Sequence, residues 1–321
     1  MNESSGMWMI IIPIGGGLLL LYFGAEGLVR GSAALAMRLG VSPLLIGLTI
    51  VAYGTSMPEL LVSVTASFEG YGEIAVGNVV GSNIFNVAFI LGVSALIFPL
   101  QVKTRLVRID LPVMIVVSVL CLGLLLDHRL GRIEGIILFS GALLYTILNA
   151  VFARREPDEN IPSEIGVDVL RTNKRYAVLI LMILGGLFLL VAGSKLLVQG
   201  AVSLALALGV SKAVISLTII SAGTSLPELA TSAIASLRKL PDIAIGNIVG
   251  SNIFNILCIL GISSIVSPLM SIGIHLADLL IMSGIAMITL PLMSTRHSLS
   301  RWEGALLSAL YVLYVVHLWH K

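Results

Sequence analysis

The chain has 321 residues, of which 57% are hydrophobic and 11% charged, with a mean hydropathy of +1.06. A soluble domain needs far more charge to cover its surface, so composition excludes one and indicates a polytopic helical membrane protein. The net charge of +2 identifies no partner, and Cys121 and Cys258 both fall inside predicted spans, which argues against a disulfide framework.

The N-terminal stretch MNESSGMW lacks the basic region of a secretory signal and carries Glu3, so the first apolar run reads as a retained helix. Ten spans are expected, at about 8–29, 42–68, 72–97, 107–126, 132–153, 176–199, 211–237, 241–267, 274–293 and 301–320. The segment 154–175 is charged and holds Pro157, Pro162 and Gly166, and it is too short for a folded domain. It reads as a solvated linker between a first unit, 1–153, and a second, 176–321. Placing that linker in the cytoplasm puts 14 Lys and Arg residues on the inner side and leaves 5 elsewhere. Basic residues favour the inner side. The expectation is therefore a multi-pass protein of the cell membrane with both termini outside.

The two units are copies. GVSPLLIGLTIVAYGTSMPELLVSVTAS at 40–67 returns as GVSKAVISLTIISAGTSLPELATSAIAS at 209–236, and IAVGNVVGSNIFNVAFILGVS at 74–94 returns at 243–263. The separation is constant at 169 residues, from Gly54 to Gly223 and from Asn86 to Asn255. Each unit is then one repeat of five helices, and an odd number turns the second copy upside down. Inverted repeats are common in secondary transporters, whose binding sites lie at the membrane midplane where the repeats meet.

The repeated motif carries chemistry. A glutamate at the midplane is costly, about 2.5–3.5 kcal/mol even on lenient scales, yet Glu59 and Glu228 sit there directly behind Pro58 and Pro227. Proline has no N–H, so the carbonyls of Gly54 and Gly223 lose their helical partners. Unsatisfied backbone survives at that depth only where it lines a cavity or binds something. Thr55 and Ser56, with Thr224 and Ser225, add hydroxyls around each break. Ser82 and Asn86, like Ser251 and Asn255, are four residues apart and share a helical face. Helices 2, 3, 7 and 8 are therefore expected to be broken helices that form a midplane ion site. The glycines at 77, 81, 246 and 250 are accounted for by close helix packing.

This set is all oxygen and contains no His or Cys. It suits hard cations, and a crowded cage of flexible oxygens favours Ca2+ and the similarly sized Na+ over Mg2+, which dehydrates reluctantly. One Ca2+ or two Na+ would neutralise two ionised glutamates, and mutually exclusive occupancy is the basis of antiport. A single Pro-kinked helix with a polar patch is ordinarily a packing feature. Two Glu-bearing copies are not, because a buried acid needs a partner and no basic residue lies in the central parts of these four helices.

The pair of GTS-x-PE and GSN-I-F-N motifs resembles the alpha repeats of sodium/calcium exchangers of the Ca2+/cation antiporter superfamily, in their compact prokaryotic form. The likeness covers essentially the whole chain. The proton/calcium branch, with GN-x-x-E at the kink, fits less well. The resemblance implies a central Ca2+ site formed by Glu59 and Glu228 with the backbone at Thr55 and Thr224. It also implies Na+ sites using Ser56, Ser225, Ser82, Ser251 and the carbonyls of Ala52 and Ser221. It further implies alternating access by helices 1 and 6 sliding together across the other eight. One departure is notable: family members often carry Asp where this chain has Asn255, opposite Asn86. With two amides the site lacks a potential charge that those members carry, and since an Asp at this position is linked to K+ use in the K+-dependent branch, the resemblance implies K+ independence.

Elsewhere, Glu26 reads as an interface anchor paired with Arg30 at i,i+4, and Lys195 occupies the matching place of helix 6. Asp110 and Asp278 open helices 4 and 9, one residue out of repeat register. The five histidines show no metal-ligand spacing. The expected function is Na+/Ca2+ antiport, with proton-coupled divalent antiport as the alternative. A passive channel would not need two inverted ligand sets, and an intramembrane enzyme lacks GxSxG, HExxH or a core histidine base. Ca2+, Na+ and the bilayer are the expected partners; no cofactor, nucleic acid or obligate protein partner is expected.

Overall fold

The computed structural model of the protein describes residues 3–153, 175–208, 221–271 and 273–319. The expected linker lies outside the described residues apart from its last position, as does the start of the expected seventh span. The first unit consists of α1 (Glu3–Leu39), α2 (Pro43–Thr55), α3 (Met57–Phe68), α4 (Gly72–Ile97), α5 (Leu106–Leu124) and α6 (Arg132–Ala153). The second holds α7 (Tyr176–Ala207), a turn at Ser221–Gly223, α8 (Leu226–Leu237), α9 (Pro241–Val266), α10 (Leu276–Ser294) and α11 (Arg301–Trp319). Among the described residues seven helices are long and apolar enough to cross a membrane, and α2 with α3, bent by 46°, makes an eighth if the two form one span.

Helix α1 runs well past the expected 8–29 because nothing stops it before Gly40. There φ is +67°, and the amides of Gly40 and Val41 donate to the carbonyls of Met37 and Ala36 at 3.1 and 3.0 Å. This reversed turn consumes the free carbonyls of the last helical turn, and glycine adopts it without strain.

The break expected from Pro58 falls two residues earlier, at Ser56, with φ −85° and ψ 8°. Pro58 occupies the opening turn of α3, and Pro227 that of α8. A proline there has no partner to lose, so it starts a new helix rather than kinking an old one. The expected breaks in helices 3 and 8 do not occur. Each of α4 and α9 is continuous and absorbs the disturbance in a π-helical turn, at Phe85–Ile90 and Asn255–Leu260. Neither helix has a proline near Asn86 or Asn255 to remove a backbone donor, so one extra residue in the turn suffices.

Helices α1 and α7 pack antiparallel along glycines. A Cβ on Gly24 would lie 2.8 Å from the Leu190 amide, and one on Gly193 would lie 2.8 Å from that of Leu21. At the heart of the bundle, every residue of α9 from Ile243 to Leu260 is buried. A helix apolar nearly all round belongs in the centre. Two short antiparallel clasps join the units: β1 (Leu100–Gln101) pairs with β4 (Ser298–Leu299), and β2 (Arg129–Leu130) with β3 (Leu269–Met270).

The register slip between Asp110 and Asp278 has a local cause. Residues Leu106–Asp110 form a π-helical turn, which accommodates one additional residue. Both acids thereby reach equivalent tyrosines: Tyr145 donates to Asp110 at 2.9 Å and Tyr314 to Asp278 at 3.3 Å. Glu26 is more than an interface anchor. It pairs with Arg30 on its own helix and also receives Nε of Arg238 at 2.9 Å from the end of α8.

Candidate ion-binding site

Each glutamate sits in the first turn of a half-helix, Glu59 in α3 and Glu228 in α8. The helix dipole favours a negative charge there, and the side chain is aimed back over the break. Both residues are 1% exposed. Ser56 donates to Oε1 of Glu228 at 2.8 Å, and Ser225 donates to Oε1 of Glu59 at 3.0 Å. The serine preceding each proline thus serves the carboxylate of the other repeat. Among the described residues neither glutamate is ion-paired.

Around this pair the hydrogen bonds recur at the 169-residue separation. Thr55 donates to Oδ1 of Asn247 at 3.1 Å, and Thr224 to Oδ1 of Asn78 at 3.3 Å. Asn78 Nδ2 donates to the Glu59 carbonyl at 3.2 Å and to Ser63 Oγ at 2.9 Å. Asn247 does the same to the Glu228 carbonyl and Ser232, at 3.3 and 2.9 Å. Sequence reasoning missed Asn78 and Asn247. The signal was there: each lies one helical turn before Ser82 or Ser251, on the face that also bears Asn86 or Asn255. Each asparagine ties the start of one half-helix to the break of the other repeat.

The remaining expected site residues gather at the same place. Ser82 Oγ lies within hydrogen-bonding distance of Ser225 Oγ, at 3.0 Å, and Ser251 donates to the Ala52 carbonyl at 3.5 Å. Asn86 and Asn255 are buried, within and at the start of the two π-helical turns. Asn255 Nδ2 donates to Asn83 Oδ1 at 3.0 Å, which leaves its own Oδ1 available. Ser221 begins the short turn before Gly223; its side chain lies outside the description. The Gly223 carbonyl, freed by Pro227, is taken by the Ser194 hydroxyl of α7 at 2.5 Å. The matching position of α1 is Ala25, so the first repeat has no such hydroxyl.

Several buried oxygens in this shell have no hydrogen-bond partner: Oε2 of Glu59, Oε2 of Glu228, and Oδ1 of both Asn86 and Asn255. Leaving such groups unsatisfied costs about 1–3 kcal/mol each, more when charged. Four buried oxygens without partners, two of them on carboxyl groups, are a donor set that a desolvated cation would satisfy. Among the described residues no cluster of three or more His, Cys, Asp or Glu side chains forms, so neutral oxygens supply the rest of the shell.

The sequence model of a family described as sodium/calcium exchanger protein matches residues 9–151 and again residues 178–320. The putative antiporter CaxA of Alkalimonas amylolytica is 42% identical over 78% of this chain and 79% of its own. The sodium/calcium exchanger MaX1 of Methanosarcina acetivorans is 32% identical over 95% of this chain and 97% of its own. Among solved structures, the sodium-calcium exchanger NCX_Mj soaked with 10 mM Na+ and 10 mM Sr2+ superposes with a TM-score of 0.82. Its identity is 31%, and the match covers 96% of this chain and 98% of that one.

Proposed function

The chain belongs to the sodium/calcium exchanger protein family, a family of membrane ion exchangers, and from that premise we propose that it exchanges Na+ for Ca2+ by alternating access. Ca2+ binds between Glu59 and Glu228. The observation that carries this reading is the pair of buried, partnerless Oε2 atoms in a shell of neutral oxygens. One Ca2+ neutralises both carboxylates. When it leaves, Na+ ions near Ser56, Ser82, Ser225 and Ser251, with the Ala52 and Ser221 carbonyls and the Asn86 and Asn255 amides, replace its charge. A site empty of both cations would hold two carboxylates in low dielectric. It is therefore an unfavourable intermediate, and that penalty couples one ion to the other.

The same reading takes the chain as ten spans in two inverted repeats, 1–153 and 176–321, joined by a cytoplasmic linker, with both termini outside the cell. The reciprocal bonds of Ser56 and Ser225 and the two clasps between units support it. The Gly24 and Gly193 approaches support α1 and α7 moving as one body, because backbones in van der Waals contact cannot slide past one another cheaply.

The test is uptake of radioactive Ca2+ into proteoliposomes loaded with Na+ and diluted into Na+-free buffer. Uptake that needs internal Na+, ignores a protonophore and is lost in Glu59→Gln and Glu228→Gln is the expected result. Uptake driven by a pH gradient would replace Na+ with H+ as the coupling ion and keep the site.

A further inference from the structure

Four charged residues on and beside the α1–α7 pair form a crosswise pattern. Glu26 of α1 corresponds to Lys195 of α7, and Arg238 after α8 corresponds to Glu69 after α3, each at the 169-residue separation. The repeats have exchanged the signs. At one end Glu26 and Arg238 are joined, with Nε to Oε2 at 2.9 Å. At the other end their counterparts Lys195 and Glu69 both line a cavity of about 550 Å³ that also reaches Thr224 of the candidate site. No ion pair between described residues involves either of them.

The surroundings differ in the same sense. In the cavity Val62, Tyr71 and Ile74 are 39%, 57% and 54% exposed, whereas their counterparts Thr231, Leu240 and Ile243 are 0%, 6% and 0% exposed. Equivalent residues of a duplicated chain thus stand in an open and a closed arrangement within one molecule. The closed arrangement is the one whose opposite charges have met.

We propose that Glu26–Arg238 and Glu69–Lys195 are alternate clasps that form in turn at the two ends of the pathway to the ion site. Closing the cavity brings Lys195 of α7 onto Glu69, as Glu26 of α1 now sits on Arg238, and the same movement of the α1–α7 pair draws Glu26 away. This rests on the alternating-access reading above. The sign exchange also has a consequence for specificity: α1 carries the acid and α7 the base, so neither helix is attracted to the other's docking residue. A rigid pair moving between two docks gains one ion pair as it loses the other, and each clasp biases the populations without locking either end. Pairs of this exposure favour one state by about two- to fivefold.

The test reads cavity opening and needs no transport. Val62→Cys in the full chain, with Cys121 and Cys258 replaced by alanine, reports the open arrangement through its rate of labelling by a membrane-impermeant thiol reagent in proteoliposomes. Glu26→Gln is expected to slow labelling about two- to fivefold by releasing the closed end. Adding Lys195→Gln is expected to restore the rate, because both states have then lost a clasp. Arg238→Gln is expected to slow labelling as Glu26→Gln does, while leaving the Glu26–Arg30 pair on α1 intact. Unchanged labelling in Glu26→Gln, or no rescue by Lys195→Gln, overturns the proposal. If the labelling shifts hold while Ca2+ uptake proves independent of Na+, the clasps stand and only the choice of coupling ion fails.

Discussion

Ser56 donates its hydroxyl to the carboxylate of Glu228, a residue 172 positions away in the other repeat, at 2.8 Å. Its counterpart Ser225 does the same for Glu59. Neither repeat therefore builds the candidate site alone. Each supplies the acid for one half and the hydroxyl that orients the acid of the other.

Glu59→Gln and Glu228→Gln should each reduce Ca2+ uptake by at least about a hundredfold, since a desolvated cation loses half its countercharge. The same variants should be no less stable than the parent in ion-free buffer, where neutralising one carboxylate relieves repulsion. A thermal melt with and without Ca2+ checks both: the stabilisation by Ca2+ should vanish while the ion-free Tm holds or rises. A variant that lost its ion-free Tm as well would make the glutamates structural.

Asn78→Ala and Asn247→Ala should behave alike. Each removes a side chain that holds a hydroxyl, a glutamate carbonyl and the threonine of the opposite repeat. The expected cost is about 1–3 kcal/mol of stability with a weaker apparent affinity for Ca2+. Denaturation in detergent and Ca2+-dependent uptake measure the two effects. Unequal losses would mean that only one of the two asparagines positions the site.

Ser194→Ala should destabilise the second break by about 1–3 kcal/mol, because the Gly223 carbonyl then has no partner at that depth. Ala25→Ser, at the matching place in α1, should not produce a matching gain, since Ala25 is fully buried and an added atom in a packed interior displaces its neighbours. Melting temperatures of the two variants decide it.

Asn255→Asp replaces a donor to Asn83 with an acceptor facing an acceptor. In ion-free buffer it should lower stability by about 1–3 kcal/mol. Ca2+ should recover more of that loss than it does in the parent, because the new carboxylate adds countercharge. Equal Ca2+ stabilisation in parent and variant would place position 255 outside the reach of the ion.

Much of the site was legible because duplication marks it. Glu59, Ser56 and Asn86 would each pass for a packing detail, but the reappearance of all three at Glu228, Ser225 and Asn255 points to one shared function. Asn78 and Asn247 carried the same mark and were overlooked, since an amide one turn before a serine looks like a solvated helix face until its burial is known. Proline was read correctly as a stop and wrongly as a kink: Pro58 and Pro227 lie in the first turns of new helices, two residues after the actual breaks at Ser56 and Ser225. The π-helical turns had no sequence signal of their own. The one visible trace was the slip between Asp110 and Asp278, which the turn at Leu106–Asp110 takes up.

By itself the sequence determined the class, an all-helical membrane protein, the two copies of the motif and the oxygen-bearing side chains of the candidate site, because hydropathy and repetition are local or internal properties of the chain. Only the tertiary structure decided which acid meets which hydroxyl, that Arg238 reaches Glu26, and that one end stands open while its counterpart is closed. Those are relations between elements far apart in sequence. The two copies share their motifs and their half-helices, and it is the packing of each against the rest of the chain, together with exchanged residues such as Glu26 and Lys195, that makes equivalent positions differ.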